Sequence, residues 1–177
     1  MFAHAAYHGT VHKFDKFSAR ACNGVFYFSC ERDYAEDRAL RRAGFYWRRR
    51  TKDVLVPYLV TAEISYSRPF RAPLKKLTDA ELMDCIGATN HVYSDSRDAR
   101  PVKGYFWSYL RWQPEMVVDI LRVRGFDSII MKEGASFNAR PIYHVVSVFS
   151  AKQIKILSFD EVALPERESE AGDSALV

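Results

Sequence analysis

Tyr7-His8-Gly9-Thr10 closes a short apolar run that begins at Phe2, and Gly24-Val25-Phe26-Tyr27-Phe28-Ser29 follows as a glycine-led run of aromatic and β-branched residues. Both runs read as strands, because such side chains fit a pleated, half-buried surface. Glu31 to Ala43 then reads as a helix, with acidic residues in its first turn, Arg41 and Arg42 in its last, and Gly44 as the stop. Two strands and a helix in immediate succession set the chain on a mixed path of strands and helices.

The rest of the sequence extends that pattern. Val54 to Tyr66 is rich in Val, Ile, Tyr and Thr and predicts a long strand. Thr78 and Glu81 have the spacing of a capping box, which predicts a short helix up to about Ile86. Residues 90–104 are polar and turn-prone and read as a loop. Pro114 suits the first turn of a helix running to Arg124, and Gly125 closes it. Phe126 to Met131, Ile142 to Phe149 and Gln153 to Leu157 read as three further strands. The sum is an α+β fold with mixed or mostly antiparallel sheets and helices inserted between strands.

At 177 residues, with 48% hydrophobic and 14% aromatic content, the chain is long and apolar enough for one folded domain over 1–161. Residues 162–177 lose every aromatic and gain Glu, Ser, Ala and Asp, so a disordered tail is expected there. No apolar run is long enough to span a bilayer and no secretory signal is legible, so the expected location is the cytoplasm, without a membrane partner. Three cysteines, Cys22, Cys30 and Cys85, lack zinc spacing and fit reduced thiols. His4, His8 and His12 are four apart, but Gly9 and Thr10 interrupt any helix there and no carboxylate or thiol completes the set, so no metal is expected. The net charge of +4 concentrates around Phe45-Tyr46-Trp47, where Arg48, Arg49, Arg50 and Lys52 form a basic-aromatic cluster. Such a cluster reads either as a solvated surface or as a grip on an acidic or nucleic-acid partner.

The His-Gly-Thr followed by a Tyr-Phe-Ser strand resembles the NAD-binding half of ADP-ribosyltransferases. The branch is that of diphtheria-type toxins, poly(ADP-ribose) polymerases and small transferase domains of phage and mobile elements. Further blocks appear in the same order: Phe14 and Phe17 after the His-Gly-Thr, then Tyr34-Ala35. Val56-Pro57-Tyr58-Leu59 with Arg68-Pro69 follows, then Gly125-Phe126-Asp127-Ser128-Ile129-Ile130, and finally Val148-Phe149-Ser150 with Gln153-Ile154-Lys155.

This resemblance implies a split, two-sheet core with inserted helices and a cleft between the sheets. It implies NAD as cofactor and substrate, and mono-ADP-ribosyl transfer to a protein or nucleic-acid acceptor recruited through Arg48, Arg49, Arg50 and Lys52. It also assigns roles. His8 would bind a ribose hydroxyl, Gly9 would hold the carboxamide, Thr10, Ser29 and Val145 would join the cofactor site, and the rings of Tyr27 and Tyr34 would hold nicotinamide, with His8 and Tyr27 lining one pocket. The catalytic glutamate of the family aligns with Val145, which can neither bind a hydroxyl nor steady an oxocarbenium ion. Glu133 is the nearest carboxylate able to reach back, set against its reading as a solvated loop charge. Relatives with an apolar residue at that position act as mono-transferases or have lost activity. The second reading is therefore a catalytically impaired module that binds NAD, ADP-ribose or nucleic acid without turnover.

Overall fold

The computed structural model describes residues 2–18, 24–44, 55–88, 103–133 and 142–164. Seven strands make one sheet: β1 (Phe2–Thr10), β2 (Phe26–Ser29), β3 (Tyr58–Tyr66), β4 (Pro69–Arg71), β5 (Ser128–Glu133), β6 (Tyr143–Val148) and β7 (Ile154–Glu161). Their order across the sheet is β4-β5-β6-β2-β1-β3-β7, antiparallel throughout except for the parallel β4–β5 pair. The described helices are α1 (Arg32–Arg42), α2 (Asp79–Ile86), α3 (Phe106–Trp112) and α4 (Pro114–Val123). The fold is thus mixed α and β, built on a single sheet.

The rungs are unevenly distributed. β1 and β3 are in register from Phe2 opposite Tyr66 to Thr10 opposite Tyr58. β1 and β2 share one pair, Tyr7 opposite Ser29. The sheet is therefore continuous but narrowest between its β4-β5-β6-β2 and β1-β3-β7 portions.

Strand alternation sorts the side chains onto two faces. Ile129, Met131, Val145 and Phe149 pack with Leu82 and Ile86 of α2, Leu110 of α3, and Val117, Val118 and Leu121 of α4. This is the helix-covered face. On the opposite face Ala6, Phe26, Phe28, Val60, Ala62, Ile64, Val146 and Val148 gather with Phe17 from the segment after β1.

The local signals explain most boundaries. The hydroxyl of Thr78 accepts the N–H of Glu81 while the Glu81 carboxylate accepts the N–H of Thr78, so the capping box forms as its spacing predicts. Pro114 opens α4, and Gly125 at φ 79° turns the chain out of it. β3 starts later than expected, at Tyr58. Pro57 has no N–H to give a ladder, and its carbonyl instead accepts the N–H of Val162. That bond ties down the first residue of the expected tail; residues 165–177 lie outside the described residues. β5 begins at Ser128, because Phe126 turns its ring into Phe70 and the Asp127 carboxylate accepts from the N–H and hydroxyl of Ser67 and the N–H of Arg68. β7 runs past Leu157 to Glu161. Helix α3 and the three-residue β4 have no counterpart in the sequence reading. The basic-aromatic cluster of Arg48, Arg49, Arg50 and Lys52 lies outside the described residues.

Gln153 braces the sheet. Its side-chain oxygen accepts the N–H groups of Phe149 and Ser150, and its amide nitrogen donates to the carbonyls of Ser65 and Asp127. One side chain thereby joins the ends of β3 and β6 to the start of β5.

Candidate functional site

Gly9 sits where β1 passes beneath α1. A Cβ at this position would lie 2.1 Å from the Ala35 carbonyl oxygen and 2.6 Å from the Ala39 nitrogen. Only glycine allows the helix backbone to approach the strand this closely. The Gly9 carbonyl accepts a 2.7 Å hydrogen bond from the Arg42 guanidinium. Arg42 therefore reaches back onto β1, beyond the favourable charge it places at the C-terminus of α1.

His8 and Tyr27 meet, but not ring to ring. The His8 Nδ1 lies 2.8 Å from the Tyr27 carbonyl oxygen. A carbonyl only accepts, so Nδ1 carries the proton. The imidazole packs edge-on to Phe17 and against Phe28, with centroids 5.4 and 5.7 Å away. Burial, with a smaller contribution from the Arg42 charge, lowers its pKa to about 4 against the bond to Tyr27. The Tyr27 ring faces the helices, and its hydroxyl donates to the Leu110 carbonyl of α3 at 3.1 Å. Tyr7 opposes Ser29 in the ladder, so odd-numbered β2 residues share a face with Tyr7, and His8 points to the other. The expectation that the two rings line one pocket is therefore corrected: the sheet separates them, and Phe17 and Phe28 fill the space beside the imidazole.

Three other expected residues are taken up structurally. Thr10 is buried, and its hydroxyl accepts the N–H of His12, closing a turn after β1. The Ser29 hydroxyl donates to the Glu31 carboxylate and accepts the Glu31 N–H. Val145 is a core residue opposite Ser29 on β2 and Met131 on β5. His4 and His8 occupy a strand rather than a helix, so their side chains are not stacked one turn apart. Among the described residues no three His, Cys, Asp or Glu side chains are arranged to hold a metal ion, and Cys30 and Cys85 are free thiols.

The residues that do converge are Tyr34, Arg38, Glu133 and Tyr143. Glu133 is the last residue of β5, not part of a solvated loop, and its side chain is only 16% exposed. Its carboxylate accepts from the Tyr34 hydroxyl and pairs with Arg38 at 3.3 Å. Arg38 also donates to the Tyr34 oxygen at 2.6 Å. The Tyr34 ring stacks on Tyr143 with centroids 4.2 Å apart and planes at 21°. Burial first, and the Glu133 charge second, raise the Tyr34 pKa above its ordinary value.

Register places this cluster with respect to Val145. Glu133 opposes Tyr143, two residues before Val145 and on the same face. Such diagonal cross-strand neighbours are about 7–8 Å apart, with Cβ atoms somewhat closer, within reach of a long side chain. The arrangement offers a half-buried carboxylate with two fixed donors, beside an aromatic pair. It suits a ligand that couples a flat ring to a centre of positive charge. The Tyr34–Tyr143 spacing leaves no room for a third ring between them, so such a ring would stack on an outer face or part the pair.

Tyr143 and Arg38 were not among the expected site residues. The available signals were alternation, which puts Tyr143 on the Val145 face, and helical spacing, which puts Arg38 one turn after Tyr34. Ser147, opposite Tyr27, is fully buried with no hydrogen-bond partner for its hydroxyl among the described residues.

No protein-family model matches this chain, and no curated protein or solved structure does either. No described helix is long and apolar enough to cross a membrane.

Proposed function

We propose that this chain is a mono-ADP-ribosyltransferase that takes NAD as donor and transfers ADP-ribose to a protein or nucleic-acid acceptor. The observation that carries the proposal is the half-buried Glu133, fixed by Tyr34 and Arg38 and diagonal to Val145. Cleavage of the bond between nicotinamide and ribose develops positive charge on the sugar, which a preorganised carboxylate stabilises. In this reading Glu133 takes the role that Val145 cannot fill, Tyr34 and Tyr143 offer the nicotinamide a stacking surface, and Gly9 lies at the parting of the strands. His8 acts as a positioning residue, holding the Tyr27 carbonyl and hence the course of β2. The single rung between β1 and β2 supports the further reading of the sheet as two half-sheets that diverge there, as in the split core of the transferases.

The test is release of nicotinamide from NAD. Glu133→Gln preserves size and hydrogen bonding but removes the charge, and release is expected to fall by about 10²-fold or more, the scale for loss of one stabilising group in an active site. Release by wild-type and Glu133→Gln proteins at equal rates removes Glu133 from the chemistry.

A second reading, a module that binds NAD, ADP-ribose or nucleic acid without turnover, is favoured by Val145 in the core and by His8 spent on a backbone carbonyl and two aromatic rings. Its signature is stabilisation without release: ligand at 100 times its Kd adds about 2.7 kcal/mol to the unfolding free energy. Neither stabilisation nor release rejects both readings.

A further inference from the structure

The face of the sheet away from the helices carries a second chemical feature. Arg71, Lys132 and His144 stand on three adjacent strands, β4, β5 and β6. Lys132 opposes His144, and Arg71 opposes Ile130, two residues from Lys132 on the same face. All three side chains line one open cavity of about 420 Å³, together with Ile130, Ala72 and Leu74. That volume falls within the range of small-ligand sites, roughly 300–1,000 Å³.

The charges lining this cavity are unbalanced. Among the described residues neither Arg71 nor Lys132 has an ion-pair partner. His144 is anchored from behind: Glu31 accepts its backbone N–H at 2.9 Å and lies 3.0 Å from its Nδ1. Glu31 is itself fixed by Ser29. A carboxylate only accepts, so that grip places the ring proton on Nδ1 and leaves Nε2 as an acceptor for a protonated phosphate oxygen. Arginine offers a planar fork that matches phosphate oxygens, lysine a mobile point charge, and a concave wall with apolar patches strengthens both fields.

We propose that this cavity is a receptor for a terminal phosphate group, a phosphomonoester or pyrophosphate, with Arg71 and Lys132 as its charge-bearing ligands and His144 as a third contact oriented by Glu31. The group reaches the protein either on a free phosphorylated small molecule or on the end of a nucleic-acid strand. The site is independent of the NAD reading, since it occupies the opposite face from Glu133 and Tyr34.

The experiment is calorimetric titration of the whole chain at about 150 mM salt, where long-range attraction is screened. The probes are pyrophosphate, a 5′-phosphorylated oligonucleotide and the same oligonucleotide without the phosphate. Saturable binding of pyrophosphate alone identifies a small-molecule source, and binding of the phosphorylated strand in preference to the bare one identifies a strand end. In either case Arg71→Gln and Lys132→Gln are each expected to weaken binding by about tenfold or more, the scale of one charged hydrogen bond. Lys155→Gln on β7, at the far edge of the sheet, should change nothing. Nicotinamide release should be unaltered in all three variants, which separates failure of this site from failure of the NAD reading. The proposal is overturned by absence of saturable binding, by equal binding of both oligonucleotides without binding of pyrophosphate, or by an equal loss in Lys155→Gln.

Discussion

His8 stays neutral well into the acid range because its ring is desolvated among Phe17 and Phe28, and this gives the fold a specific sensitivity to acid. Its folded pKa of about 4 lies below the unfolded value of 6.5. The unfolded chain therefore takes up a proton first as pH falls. The stability contributed by the neutral ring is complete above pH 6.5 and drains away as pH drops toward 4, by about 3 kcal/mol at the lower end. His8→Gln keeps a donor for the Tyr27 carbonyl but cannot titrate. Urea unfolding between pH 7 and pH 4 should show a shallower loss in the variant, and parallel curves would exclude His8 as the source. Ser147 supplies the converse prediction. Its buried hydroxyl has no partner among the described residues, so Ser147→Ala should hold or raise stability by up to about 1 kcal/mol in the same assay, because it removes an unpaired polar group. A clear loss would mean that the hydroxyl is bonded in solution. At this scale the sequence was legible by residue type but not by direction. His8, Tyr27, Tyr34 and Glu133 were all singled out, yet which of them face one another depends on strand parity, which a motif does not display. Tyr143 was legible only as a residue sharing the Val145 face, because its stacking on Tyr34 is a tertiary contact with no local sign.

The packing of α1 on β1 depends on the missing side chain at Gly9. In Gly9→Ala the new methyl meets helix backbone rather than a side chain able to swing aside, so the helix itself has to lift. The expected loss is about 3 kcal/mol, the upper part of the overpacking range, measured by chemical denaturation; a loss below 1 kcal/mol would show that α1 rides on β1 more loosely. The NAD assay on this variant is informative only after its fold is verified. Elements with chemical punctuation were legible: α2 through its Thr78 and Glu81 box, α4 between Pro114 and Gly125, and α1 through its charge gradient. α3 was not. Phe106 to Trp112 is aromatic on several sides, its Tyr105 cap makes no side-chain bond, and its first turn holds no acid. β4 spans only Pro69 to Arg71 and exists because β5 pairs with it, a tertiary cause with no local sign.

Across the whole molecule, Gln153 braces the two portions of the sheet, with three side-chain bonds to the ends of β6 and β5 and one to β3. In Gln153→Ala the N–H groups of Phe149 and Ser150 and the carbonyls of Ser65 and Asp127 all lose a partner. The expected destabilisation is about 2 kcal/mol or more, with net bonds near 1 kcal/mol each partly replaced by water. Gln153→Glu should recover less than half of it, because a carboxylate still accepts from the two N–H groups but cannot donate to the carbonyls. Full recovery by glutamate would remove the donor half of the brace. The α+β class was legible because strand and helix signals alternate along the chain. That the strands join into one sheet was not, since the join is a single pair, Tyr7 with Ser29.

That lone pair has a dynamic consequence. A ladder of many rungs opens only if all of them yield together, whereas amides beside a single rung open without breaking a ladder, even where the His8–Tyr27 bond and the packing around Phe28 hold the strands in place. Deuterium should therefore enter the amides bordering the β1–β2 seam well before those inside the long β1–β3 ladder. A small molecule wedged into this seam would slow that entry on both sides at once.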